Sequence, residues 1–101
     1  MPLEKNEVIK EFFQAILGLK NSQEISRFCY DLLSTHEIKE ISFRYQVAKM
    51  LKNKIPYCKI EEETGLSSAT IAKISHDLKK GAGGYKLALK RMEDKIINHT
   101  K

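Results

Sequence analysis

Apolar residues return every three or four positions along almost the whole chain, which is the spacing of one helical face. From Leu3 to about Leu19 they fall at Val8, Ile9, Phe12, Phe13, Ile16 and Leu17, predicting a first helix with a wide apolar face. So broad a face is expected to pack deeply against the rest of the fold or against a second copy of the chain, with a place in the core as the default. Gly18 and Asn21-Ser22 then signal a stop and a new start, and Ile25, Phe28, Cys29, Leu32 and Leu33 form the next stripe. Ser34-Thr35-His36-Glu37 has the spacing of a capping box, in which a hydroxyl and a carboxylate satisfy each other's orphan backbone donors. A long third helix follows. Its apolar positions Ile38, Ile41, Tyr45, Ala48 and Leu51 recur at three or four residues, with Val47 and Met50 widening the stripe, up to a break at Lys54-Ile55-Pro56.

Residues 57–80 carry the most specific pattern. Two short helices joined by a tight turn at Gly65-Leu66-Ser67 would bring Ile60, Leu66, Ile71, Ile74 and Leu78 together beneath them, a helix-turn-helix arrangement. Gly65 suits a left-handed turn residue, since without a Cβ it takes positive φ at little steric cost, and Ser67 or Ser68 can cap the second helix. Gly81-Ala82-Gly83-Gly84 interrupts the pattern, and a last helix from about Tyr85 to Ile97, with Leu89, Met92 and Ile96 inward, ends it. The prediction is an all-α fold of about six helices without a strand, in a single helical domain over residues 1–101.

The outward face of the second helix in the motif carries Ser67, Ser68, Ala69, Thr70, Ala72, Lys73, His76, Lys79 and Lys80. Small, hydroxylated and cationic groups of this kind can approach base edges and phosphates, so these nine residues are the candidate double-stranded DNA contacts. An ordinary helical hairpin would show much the same pattern. Against the motif, Glu61 stands where such a pair usually has a small residue, so Glu61 must reach outward along its stem or the helices must splay.

Charge supports the motif by its placement. Residues 1–40 hold five Lys/Arg against seven Asp/Glu, whereas residues 41–101 hold thirteen against six. Between residues 68 and 91 lie six cations and one anion, Asp77, the footprint of a surface that displaces counterions from a phosphate backbone. Lysines are also default solubilising residues, so this balance alone decides nothing. No apolar run approaches the roughly 18 residues needed to cross a bilayer, and Glu4, Glu7 and Glu11 break up any leader-like segment, so a cytoplasmic protein without a membrane partner is expected. Cys29 and Cys58 lack CxxC spacing and read as buried, reduced thiols. His36, His76 and His99 are too scattered for a zinc set, and no cofactor is expected.

The run Leu32-Leu-Ser-Thr-His-Glu-Ile-Lys-Glu-Ile-Ser-Phe-Arg-Tyr-Gln-Val-Ala-Lys-Met-Leu51, followed by Ser-Ala-Thr-Ile at 68–71, resembles the tryptophan repressor superfamily. Gln-Val-Ala-Lys-Met-Leu-Lys at 46–52 and Gly-Ala-x-Gly-Tyr at 81–85 look closest to its YerC/YecD-like branch, and the resemblance covers roughly residues 30–85. It implies an interlocked homodimer whose N-terminal helices thread between partners and whose two reading heads enter successive major grooves. It also implies a place for an effector. Arg44 stands where that family holds an amino-acid carboxylate, Ser34 matches a threonine whose backbone contributes, and Lys73 replaces an arginine that stacks on indole. Ile74 replaces a glycine beside the pocket and Asp77 a serine, so tryptophan is not expected as corepressor and any other effector is left open. Arg44 is then a structural or phosphate-facing cation.

Short reading residues reach bases only if the helix start sits deep in the groove, and otherwise act through water. Affinity should lean on Lys73, Lys79, Lys80 and backbone N–H groups, while Glu61-Glu62-Glu63 works against it. A homodimeric sequence-specific DNA-binding regulator is the leading expectation. A helical interaction module without DNA binding is the alternative, favoured by the glutamate triplet. A small helical enzyme like the chorismate mutases would need more arginines than Arg27, Arg44 and Arg91, and no nucleophile with an adjacent base is legible.

Overall fold

The computed structural model describes residues 5–99, and every regular element among them is an α-helix. These are α1 (Lys5–Leu17), α2 (Ser22–Leu32), α3 (Thr35–Lys52), α4 (Tyr57–Thr64), α5 (Ser68–Lys80) and α6 (Gly84–His99). The six-helix, strand-free reading is borne out over the described residues.

Local capping sets most of the boundaries. Asn21 accepts from the Glu24 N–H at 2.9 Å while the Glu24 carboxylate accepts from the Lys20 N–H at 2.8 Å, fixing the start of α2. The Ser34 box forms as its spacing predicts. Glu37 N–H donates to Ser34 Oγ at 3.1 Å and Ser34 N–H donates to Glu37 Oε1 at 2.9 Å. The Ser34 backbone bond, followed by its hydroxyl, holds the Glu37 carboxyl below the usual carboxylate range. At the far end of α3, Ile55 N–H reaches the Met50 carbonyl and Lys54 N–H the Leu51 carbonyl, both at 3.0 Å. Lys54 takes the left-handed conformation, φ 62°, that this paired closure needs. Pro56 then starts α4.

The chain resolves into two compact units, Met1–Ile38 and Lys39–Lys101. In the first, Phe12 packs its ring against Phe13 and Phe28, with centroids 5.8 and 6.0 Å apart. Phe28, Cys29 and Leu33 are half-buried, and neither α1 nor α2 contains a buried residue. The expectation that α1 sits in the core is therefore corrected for the single chain. Val8, Ile9, Phe13 and Leu17 are exposed, Leu17 by 75%. Periodicity shows which residues share a face, and nothing in one sequence states what covers it.

The second unit holds the core: Val47, Ala48 and Met50 of α3, Ile60 of α4, Ile71 and Ile74 of α5, and Leu89 of α6. Tyr45, Leu51, Ile55, Leu66, Leu78 and Tyr85 pack around them. Removing an Ile or Val side chain fully from water stabilises by about 1.5–3 kcal/mol, so this cluster is what positions α5. Two inward assignments are corrected. Met92 and Ile96 are exposed, because α6 joins the core only through Leu89 and half-buried Tyr85 in its first turns. Both cysteines are free, as expected, but Cys29 is half-buried and Cys58 lies exposed on the outer side of α4.

Candidate nucleic-acid interface

The turn between α4 and α5 is closed by bonds that its own sequence supplies. Gly65 takes φ 73° and ψ 4°, and its N–H donates to the Glu61 carbonyl at 2.8 Å. Thr64 Oγ1 donates to the Ile60 carbonyl at 2.7 Å and accepts from the Leu66 N–H at 3.3 Å. Of the two candidate caps it is Ser67 that acts. Its Oγ accepts from the Thr70 N–H at 3.2 Å and lies 3.1 Å from Thr70 Oγ1. Thr70 is accordingly half-buried, its hydroxyl already engaged with Ser67.

Beneath this turn Ile60, Ile71 and Ile74 are buried, with Leu66 and Leu78 half-buried against them. The five side chains expected to interlock do so. Ser75, buried at 7% exposure, completes the inner stripe. The 3.6-residue period then forces Ala69, Ala72, Lys73, His76 and Lys80 onto the opposite side, where all five are exposed, with Ser68 and Lys79 exposed at one edge. Methyl-sized groups at 69 and 72 leave the backbone of the first turns of α5 open to close approach. His76 stands between them and the cationic end.

The cations are not equivalent. Lys73 Nζ lies 3.1 Å from Asp77 Oδ2, one helical turn on, and Lys86 Nζ donates to the Lys79 carbonyl at 3.3 Å across the glycine loop. On α4, Lys59 lies 3.8 Å from Glu63. Glu61 is half-buried and stands outside the core cluster, and Glu62 is exposed.

The residues matched to an effector site divide. Arg44 is half-buried on α3 and Lys73 exposed on α5, in the second unit, whereas Ser34, in the first, uses its hydroxyl and N–H on Glu37. Ile74 is 1% exposed and fills core volume with its branched side chain. The sequence reading missed a groove of about 180 Å³ in the second unit, lined by Tyr45, Lys49, Lys52, Asn53, Leu89, Met92, Glu93 and Ile96. A Lys52–Glu93 pair at 2.9 Å closes its rim, and Lys52 holds the Glu93 carboxyl below the usual range.

Comparison with known proteins agrees with this geometry. The family model described as Trp repressor protein matches residues 7–93. The uncharacterized protein YerC of Bacillus subtilis (strain 168) is 38% identical over 90 residues, covering 89% of this chain and 86% of that protein. Among solved structures, a TrpR-like protein from Eubacterium eligens ATCC 27750 superposes with a TM-score of 0.83 at 38% identity, covering 88% of this chain and 92% of the other. A candidate Trp repressor from Staphylococcus aureus gives 0.80 at 41% identity, with 86% and 87% covered. The resemblance read from residues 30–85 thus extends over nearly the whole chain, and the protein belongs to the Trp repressor family, alongside YerC.

Proposed function

We propose that the chain is a sequence-specific, DNA-binding transcriptional regulator that enters the major groove with α5 and acts as a homodimer. The observation that carries this reading is the α5 surface. A helix fixed from below by Ile60, Ile71 and Ile74 presents a bare strip of Ala69, Ala72, Lys73, His76 and Lys80, as a recognition helix requires. The family's regulatory role points the same way and away from catalysis, and among the described residues no helix is long and apolar enough to cross a membrane. The whole chain would then work as one DNA-binding domain in the cytoplasm, with Ser67, Ser68, Ala69, Thr70, Ala72, Lys73, His76, Lys79 and Lys80 at the duplex.

The test is binding to genomic fragments by gel shift, followed by salt titration. Lys73→Ala with Lys80→Ala is expected to flatten the plot of log affinity against log salt by about 0.9 or more per protomer, since each lost phosphate contact leaves about one counterion in place. An unchanged slope would remove α5 from the interface. A helical interaction module without DNA binding is the second reading, favoured by the exposed carboxylate of Glu62 and the exposed apolar face of α1. It predicts no shifted fragment at all.

Tryptophan is not proposed as corepressor. Ile74 occupies core space, and Asp77 sets a carboxylate beside Lys73. Calorimetric titration with L-tryptophan is expected to give no micromolar binding; heat saturating in that range would reverse this assignment.

A further inference from the structure

Asp77 is the only anion between residues 68 and 91, and its carboxylate is spent on one cation of the reading face, Lys73, at 3.1 Å. The pair is asymmetric in a useful way. The Asp77 side chain is 35% exposed and anchored beside half-buried Leu78, while that of Lys73 is 66% exposed and projects onto the outward strip. A short side chain on the flank of α5 thus holds a long one lying along the helix. Lys80 is exposed on the same strip with no ion pair among the described residues, and the Lys79 ammonium has none either.

We propose that Asp77 is a positioning residue that sets the strength of DNA binding by neutralising Lys73, so that the free cations of α5, Lys79 and Lys80, carry its phosphate attraction. The inference rests on the DNA-binding reading above and adds an intrinsic brake to it. Affinity for a polyanion scales with the counterions displaced, and a closed Lys–Asp pair at the contact surface displaces none net. If Lys73 leaves Asp77 for a phosphate, it strands a carboxylate next to the strand it approaches, so the balance is the same by either route. The brake acts on every duplex irrespective of sequence, which holds down the non-specific background against which base contacts must be read.

The experiment measures binding of a labelled random-sequence duplex by fluorescence anisotropy between about 50 and 200 mM salt. Asp77→Asn is expected to tighten binding roughly five- to ten-fold near 0.1 M salt and to steepen the salt slope by about 0.9 per bound protomer, the increment of one added phosphate contact. Asp77→Glu, which keeps the carboxylate one turn from Lys73, should hold the wild-type slope. Adding Lys73→Ala to Asp77→Asn should cancel the gain. Asp94→Asn removes an equal charge from α6, next to Lys90, and is expected to shift the slope by less than half as much. Circular dichroism of each variant confirms the helical fold. If Asp77→Asn leaves the slope unchanged, or Asp94→Asn matches it, the brake is overturned, and a Lys80→Ala variant that still flattens the slope shows that the DNA-binding reading survives. If neither wild type nor Asp77→Asn binds any duplex, both fall.

Discussion

Ile71→Ala is expected to lower the unfolding free energy by about 2–5 kcal/mol, the range for a buried Ile cut back to Ala in a site that collapses only in part. Ile71 has no exposed surface, and Ile60 and Ile74, its partners in the same cluster, are equally enclosed. For a domain whose total stability is about 5–15 kcal/mol, a loss of this size is a large fraction of the whole. In a chain of this length it should depress the melting temperature by about 10–25 °C. Lys80→Ala, at an exposed position on the same helix, should change stability by less than about 0.5 kcal/mol. Thermal melts and urea titrations of the two variants beside wild type check the contrast. A melting temperature for Ile71→Ala within a couple of degrees of wild type would mean that α5 is not held from below as described. The consequence reaches the function, because the spacing of the outward strip depends on the same side chains. A partly loosened α5 should lose fragment binding at temperatures where its overall helix content is still high.

How much of this was legible in the sequence depends on the range of the interaction. The Ser34–Glu37 box, the Gly65 turn and the Ser67 cap are closed by residues within four positions of one another, and each formed where its spacing placed it. The stripe 71, 74, 78 and the strip opposite it follow from helical period alone, so the split of α5 into a buried and an outward side was also readable. The Lys73–Asp77 pair has the four-residue spacing of a helical ion pair, yet which cation Asp77 takes emerged only in three dimensions. The failures are long-range. Met92 and Ile96 obey the same periodicity as the core residues but are exposed, because coverage depends on elements far away in the chain or outside it. Cys58 misled for a related reason: thiols are usually buried, but position 58 lies on the outer side of a two-turn helix whose inward position is Ile60. The groove beside Lys49 and Lys52 joins residues about 40 positions apart on α3 and α6, beyond anything a local pattern encodes.

Under the proposed homodimer, paired Phe13→Glu and Leu17→Glu substitutions are expected to leave a monomer, visible in sedimentation velocity as a halving of mass. The argument starts from the exposed large apolar residues of α1, Val8, Ile9, Phe12, Phe13, Ile16 and Leu17, with Phe13 at 59% and Leu17 at 75%. A contiguous apolar face of this kind is what isolated soluble chains avoid and subunit interfaces use. Under the homodimer reading a second copy covers it. Burying a Phe or Leu side chain contributes about 1.5–3 kcal/mol, and two-fold symmetry makes each substitution appear twice in the assembly. Even at the lower figure, losing both positions in both subunits removes about 6 kcal/mol, roughly four powers of ten in the dissociation constant. Glutamate adds the cost of bringing carboxylates to an apolar surface, so the change cannot be absorbed by a small repacking. α4 and α5 draw their core from the other unit, so the substituted chain should retain its helix-turn-helix and bind single sites weakly through one reading head. Fragment affinity should then drop by the loss of the second, tethered head while the salt slope per protomer stays as it was. A wild-type protein that sediments as a monomer at tens of micromolar would show that α1 meets something other than a second copy. A substituted protein that remains dimeric would place the interface elsewhere, with the groove lined by Tyr45, Met92 and Ile96 as the next surface to change.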